Sequence, residues 1–121
     1  MRKRILVIED QEDNRAILRD LLTAVGFSVS EAVNGAEGII KAEAETPDLI
    51  VMDIQMPIMD GYEATRRIKA DPALKAIPIV AVTSYALSGD EAKARDAGCD
   101  DYIAKPYSPR QMLAKVREII G

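Results

Sequence analysis

Glu9 and Asp10 directly follow the apolar run Ile5-Leu6-Val7-Ile8, and Asp53 directly follows Leu49-Ile50-Val51-Met52. Runs of this kind, without polar alternation, are the pattern of strands buried on both faces of a parallel sheet. Side chains that leave such strands at their carboxyl ends converge on the crevice where an open parallel sheet binds ligands. If the two strands are neighbours, the three acids crowd one small space, and like charges that close oppose one another. A divalent cation relieves that repulsion. Any one of these acids alone reads as a solvated loop residue; together, at the same end of two apolar strands, they read as a site.

Two further polar positions complete the constellation. Thr83-Ser84 follow the run Ile79-Val80-Ala81-Val82, and Lys105-Pro106 follow a short strand at about Asp101 to Ala104. An acid cluster, a hydroxyl and a lysine around one point suit a phosphoryl group held by a metal, because phosphoryl transfer asks a protein mainly for positioning and charge neutralisation. Asp53 can supply a carboxylate nucleophile. Glu9 and Asp10 can hold Mg²⁺, which takes a few carboxylates and keeps its other octahedral positions for water and phosphate. Lys105 offers a compact cation for phosphate oxygens, and Thr83 a hydroxyl donor.

The elements that must position these groups alternate along the chain. After the first strand, Ile17, Leu18, Leu21, Leu22 and Val25 fall on one face at helical spacing, and Gly26 is placed to stop that helix. Phe27 to Ala32 reads as the second strand. Asn34 can cap a second helix with Ala36, Ile39 and Ile40 inward, ended before Pro47. Asp60-Gly61 opens a third helix with Ala64 and Ile68 inward, closed by Pro72, and Pro78 introduces the fourth strand. Ser88 with Glu91 forms a capping box for a fourth helix that stops at Gly98. Ser108, Pro109 and Gln111 start a fifth helix whose stripe is Met112, Val116, Ile119 and Ile120. The fold class that follows is α/β: a single doubly wound (βα)5 domain over residues 1–121, with a parallel sheet flanked by helices. The flavodoxin-like order 2-1-3-4-5 is expected because it sets the first strand beside the third; periodicity alone does not fix it.

Composition narrows the function. At 121 residues, 48% hydrophobic and 30% charged, the chain has the makeup of one soluble globular domain. A net charge of −4 without a basic run argues against direct DNA binding. Met1-Arg2-Lys3-Arg4 resembles the start of a signal peptide, but Glu9 and Asp10 interrupt the apolar stretch, and no run reaches membrane-spanning length. The single Cys99 excludes an internal disulfide and fits a reducing, cytoplasmic compartment. Histidine is absent, which removes Ser-His triads, histidine acid–base catalysis and histidine metal sites.

These residues resemble a response-regulator receiver domain, from Ile5 to the last helix. The family pattern is an acidic pair, a phospho-accepting Asp, a Thr or Ser, and Lys-Pro after strands one, three, four and five; here these are Glu9-Asp10, Asp53, Thr83 and Lys105-Pro106. The stretches from Met52 to Gly61 and from Gly98 to Pro106 resemble the family's phosphoacceptor loop and its fifth-strand segment. The resemblance implies Mg²⁺ held by Asp10, Asp53 and the backbone carbonyl of Gln55, with Glu9 acting mainly through a coordinated water. Glu9 stands where many members carry Asp, which lengthens that arm. It implies a cis bond before Pro106. It also implies a switch: Thr83 drawn toward the phosphoryl group and Tyr102 turning inward, changing the surface of the fourth helix, fifth strand and fifth helix. A fourth helix built on Ala92, Ala94 and Ala97 is expected to shift readily.

Gln55 and Tyr85, each two residues beyond a site residue, are expected to tune phosphoryl lifetime by flanking the path of water. The implied function is a phospho-accepting switch with self-catalysed phosphorylation and dephosphorylation. Its donor would be a phosphohistidine on a sensor histidine kinase or histidine phosphotransfer protein. With no effector domain after Gly121, output is expected through a downstream protein target, unless the chain is a fragment, with a homodimer on phosphorylation as one form of response. Leu87, Tyr102, Tyr107 and Met112 are the candidate contact residues, local packing being the alternative for each.

The principal alternative is a metal-dependent phosphatase of the haloacid dehalogenase type. That chemistry wants a second acid two residues after the nucleophile, where this chain has Gln55. A nucleotide or flavin carrier would need a Gly-rich loop after the first strand, and Glu9-Asp10-Gln11-Glu12-Asp13 is acidic instead. A purely structural interaction domain leaves the acid, hydroxyl and lysine set unexplained.

Overall fold

The apolar runs have no polar face to offer, and the fold buries them on both sides. The computed structural model describes residues 2–54, 59–83 and 90–121. Strands β1 (Arg4–Ile8), β3 (Leu49–Asp53) and β4 (Ile79–Thr83) form the centre, and every residue from Ile5 onward in β1, and all of β3 and β4, is buried. β2 (Ser28–Ala32) and β5 (Asp101–Ala104) are the edges. The order is β2-β1-β3-β4-β5, and all neighbours run parallel. Right-handed crossovers through helices are what parallel neighbours require. The helices are α1 (Glu12–Ala24), α2 (Gly35–Glu45), α3 (Gly61–Ala70), α4 (Asp90–Ala97) and α5 (Pro109–Ile120).

Successive strand residues point to opposite faces, which divides the core in two. Ile5, Val7, Leu49 and Val51 pack with Leu18 and Leu22 of α1 and Met112 and Val116 of α5. Leu6, Ile8, Ile50 and Met52 pack with Ala42 of α2, Ala64 and Ile68 of α3 and Ala94 of α4. Among the described residues, no helix is long and apolar enough to cross a membrane.

Helix ends follow local chemistry. Asn34 and Asp60 accept from the backbone N–H groups of Glu37 and Glu63, satisfying donors that the first turn leaves open. Ser108 and Gln111 form a reciprocal capping box, with Pro109 at the first helical position. Gly26 and Gly98 end α1 and α4 at φ +101° and +111°, a region that glycine enters without Cβ strain. The Lys105–Pro106 peptide is cis. The expected box of Ser88 with Glu91 lies outside the described residues, as do the site candidates Gln55 and Tyr85 and the contact candidate Leu87.

The inner faces differ from expectation at four residues, Ile17, Val25, Ile40 and Ala92, which are exposed. Ile17 is 60% and Ile40 66% exposed. In α2 the buried residues are Gly35, Gly38 and Ala42, with Ala36 and Ile39 only half-buried. The cause is close approach: a Cβ on Gly38 would overlap Cδ1 of Ile8, so α2 lies on β1 through its smallest residues and Ile40 turns outward. In α4, Ala92 is exposed while Ala94 and Ala97 are buried. Met112, a candidate contact residue, is instead fully buried in the core.

Candidate functional site: an acid cluster at the carboxyl edge of the sheet

Register brings the acids together. Ile8 of β1 is level with Met52 of β3, so Glu9 and Asp53 leave neighbouring strands at the same height. The backbone N–H of Glu9 also donates to the carbonyl of Ala32 at 3.0 Å, holding it against the end of β2. One carboxylate oxygen from each of Glu9, Asp10 and Asp53 lies within 4.8 Å of the others. On the other side, Asp53 is level with Val82 and Thr83 with Ala104. The Lys105 N–H donates to the Thr83 carbonyl at 2.7 Å, continuing the ladder past β5. Lys105 Nζ then stands 3.7 Å from Asp53 Oδ2. Glu9, Asp53 and Thr83 are buried, while Asp10 and Lys105 are half-buried.

Gly61 lets the third helix start at this edge. A Cβ there would lie 2.6 Å from the Asp53 carbonyl oxygen, and its N–H donates to the Ile54 carbonyl at 3.0 Å. A larger residue would push α3 away from the strand end that carries Asp53.

The electrostatics are those of crowded acid. The Glu9 carboxyl is pushed up from the usual 4.5 to about 8, chiefly by burial and then by its hydrogen bond with Asp53 and that residue's charge. The Asn14 hydrogen bond and the Lys105 charge pull it back down. A cation placed among these acids would favour the ionised form that burial and the neighbouring acid oppose. The donor set fits Mg²⁺: it is all oxygen, carboxylate-rich and open on one side.

Beside the acids a cavity of about 540 Å³ runs between α1 and the segment after β5, with Glu9, Asp53 and Lys105 on its polar side and Ile17, Leu18 and Tyr107 on its apolar side. Burial raises the Tyr107 phenol, and the charges of Glu9 and Asp53 raise it further. Tyr102 lies on β5, half-buried against the core.

All of Glu9, Asp10, Asp53, Thr83 and Lys105 are therefore at one edge of the sheet. Asn14 and Arg15 were not anticipated from sequence, and Tyr107 was named only as a candidate contact residue. Asn14 donates from Nδ2 to Glu9 Oε1 at 3.1 Å, and Arg15 donates from Nη1 to the Glu9 carbonyl at 3.0 Å. Tyr107 faces the same acids. The available signal was position: Asn14 and Arg15 lie in the opening turns of the helix that starts just after the acid pair.

Residues 5–117 match the family described as the response regulator receiver domain. The polar-differentiation response regulator DivK of Brucella anthropi is 40% identical over 121 residues, covering 100% of this chain and 98% of that one. The receiver domain of the sensor histidine kinase PA1611 of Pseudomonas aeruginosa, whose structure has magnesium coordinated in the active-site cleft, superposes with a TM-score of 0.93 at 34% identity, over 100% of this chain and 99% of that one. The chemotaxis protein CheY4 of Vibrio cholerae shares the fold, with a TM-score of 0.93 at 24% identity over 98% and 99% of the two chains. None of these matches supports a haloacid-dehalogenase-type phosphatase.

Proposed function

Because the chain belongs to the response-regulator receiver family and so works in two-component phosphorelay signalling, we propose that Asp53 is its phosphorylation site. The observation that carries this reading is Asp53 itself, a buried carboxylate within 4.8 Å of two other acids and 3.7 Å from a lysine. A carboxylate oxygen of Asp53 attacks the phosphorus of a phosphohistidine. The new O–P bond forms as the N–P bond breaks, and the electron pair of that bond stays on the imidazole. Lys105 pairs with a phosphoryl oxygen, and the Thr83 hydroxyl donates to another. Glu9, Asp10 and Asp53, with the Gln55 carbonyl, would hold Mg²⁺. Bound there, the ion would neutralise phosphoryl charge.

The phosphoryl group adds negative charge and acceptor oxygens at the strand end. Thr83 moves toward it and Tyr102 turns inward, altering the face formed by α4, β5 and α5. Water later attacks the acyl phosphate, and Gln55 and Tyr85 set the rate. The donor is a sensor histidine kinase or histidine phosphotransfer protein, and the output is a protein target or a phosphorylation-dependent homodimer, without direct DNA or membrane contact. In this reading residues 1–121 form one receiver domain and act in the cytoplasm.

Incubation with acetyl phosphate and Mg²⁺ tests the reading. It expects a single phosphoryl mass addition on the wild-type chain and none on Asp53→Asn. Steady release of inorganic phosphate without an accumulating adduct would favour a hydrolase.

A further inference from the structure

The guanidinium of Arg15 joins three parts of the molecule. Nη1 donates to the Glu9 carbonyl at 3.0 Å and, more weakly, to the Asp10 carbonyl at 3.5 Å. Nε donates to Glu31 Oε1 at 3.2 Å, and the Arg15 side chain is only 15% exposed. Glu31 is one residue before the end of β2, and its other carboxylate oxygen pairs with Arg19 at 3.4 Å. The carbonyls thus grasped belong to the two residues whose carboxylates face Asp53. On the opposite side the Glu9 N–H is already bonded to Ala32. The acid pair is therefore fixed by its backbone from both sides, by the sheet and by Arg15.

We propose that Arg15 is a positioning residue for the metal-binding acids, oriented by Glu31, so that an edge-strand carboxylate remote from the metal tunes cation affinity. The idea rests on the reading of Glu9, Asp10 and Asp53 as a Mg²⁺ site. A planar fork suits the task, because one guanidinium holds two carbonyls and a carboxylate in fixed directions. Partners that orient metal ligands in this way are typically worth about 10–100-fold in metal affinity.

Charge and positioning predict opposite signs. An arginine acting only through its charge would repel Mg²⁺, and its removal would tighten binding. A positioning arginine does the reverse.

Calorimetric titration of the full chain with MgCl₂ decides between them. The proposal expects Arg15→Ala to bind Mg²⁺ about tenfold more weakly and Arg15→Lys, which keeps the charge but not the fork, to remain weakened. Glu31→Gln should weaken binding in the same direction, with the Arg15→Ala/Glu31→Gln double variant no weaker than Arg15→Ala. Thermal unfolding without metal accompanies each variant, and should Arg15→Ala fail to fold, Arg15→Lys and Glu31→Gln carry the test. Unchanged or tighter binding in these variants, or full restoration by lysine, overturns the positioning role. A wild-type chain that takes up no Mg²⁺ overturns the metal reading as well.

Discussion

Lys105 Nζ lies 3.7 Å from Oδ2 of Asp53, longer than a tight hydrogen-bonded ion pair. The lysine thus faces the carboxylate without being tied to it by a short hydrogen bond. An oxygen of an incoming phosphoryl group can approach both. Lys105→Met, which keeps the stem and removes the charge, is expected to slow phosphorylation of Asp53 by acetyl phosphate by at least about tenfold. Time-resolved intact-mass measurement reads it, and an unchanged rate would exclude the lysine from phosphoryl stabilisation.

Glu9 makes the metal-free protein sensitive to pH. Its carboxyl titrates near 4.5 in an unfolded chain and at about 8 in the fold, so the folded state holds the extra proton between those values. Stability therefore falls as pH rises through that window, the sign required when the native state binds more protons. Urea unfolding without metal should show wild type less stable at pH 8.5 than at pH 6 by more than Glu9→Gln is, since glutamine does not titrate. An equal loss in both would show that Glu9 is not the source.

The same proton opposes the cation. At the proposed site Mg²⁺ would need the Glu9 carboxylate, so its affinity should climb by up to about tenfold per pH unit and level off above about pH 8. Calorimetry across that range checks it; an affinity flat from pH 6 to 9 would contradict the assigned role of Glu9.

Packing of α2 on β1 yields a prediction opposite to the hydrophobic pattern. Gly38→Ala should cost about 1–3 kcal/mol, because its methyl meets Ile8. Ile40→Ser, at 66% exposure, should change stability by no more than about 0.5 kcal/mol. Denaturant unfolding measures both, and the reverse ranking would place α2 with Ile40 inward.

That pair also marks where sequence was legible. The apolar runs of β1, β3 and β4 announce central strands because each residue is covered whichever face it points to. The caps at Asn34, Asp60 and Ser108 are equally readable, since a single side chain meets a local backbone donor. Ile17 and Ile40 were not readable: helical spacing shows which residues share a face, not how closely the helix can lie. At α2 the small residues Gly35, Gly38 and Ala42 decide, and their signal is the absence of side chain.

The site divides in the same way. Glu9, Asp10, Asp53 and Thr83 are visible because they close apolar strands, and Lys105 because Lys-Pro follows a short fifth strand; strand order then gathers them. Asn14 and Arg15 act on that cluster from α1, one through the Glu9 side chain and one through the loop carbonyls, contacts that no spacing rule encodes. Met112 was legible as well: helical spacing set it on the inner stripe of the fifth helix, and its burial there removes it from the candidate contact residues.

The position of the phosphoryl group is the most direct test of the account. After treatment with acetyl phosphate and Mg²⁺, borohydride reduction converts an aspartyl phosphate to homoserine, and peptide mass mapping locates it. Homoserine at position 53 alone is the predicted result. Homoserine at another carboxylate, or none on a chain that carries the phosphoryl mass, would contradict the assignment of Asp53.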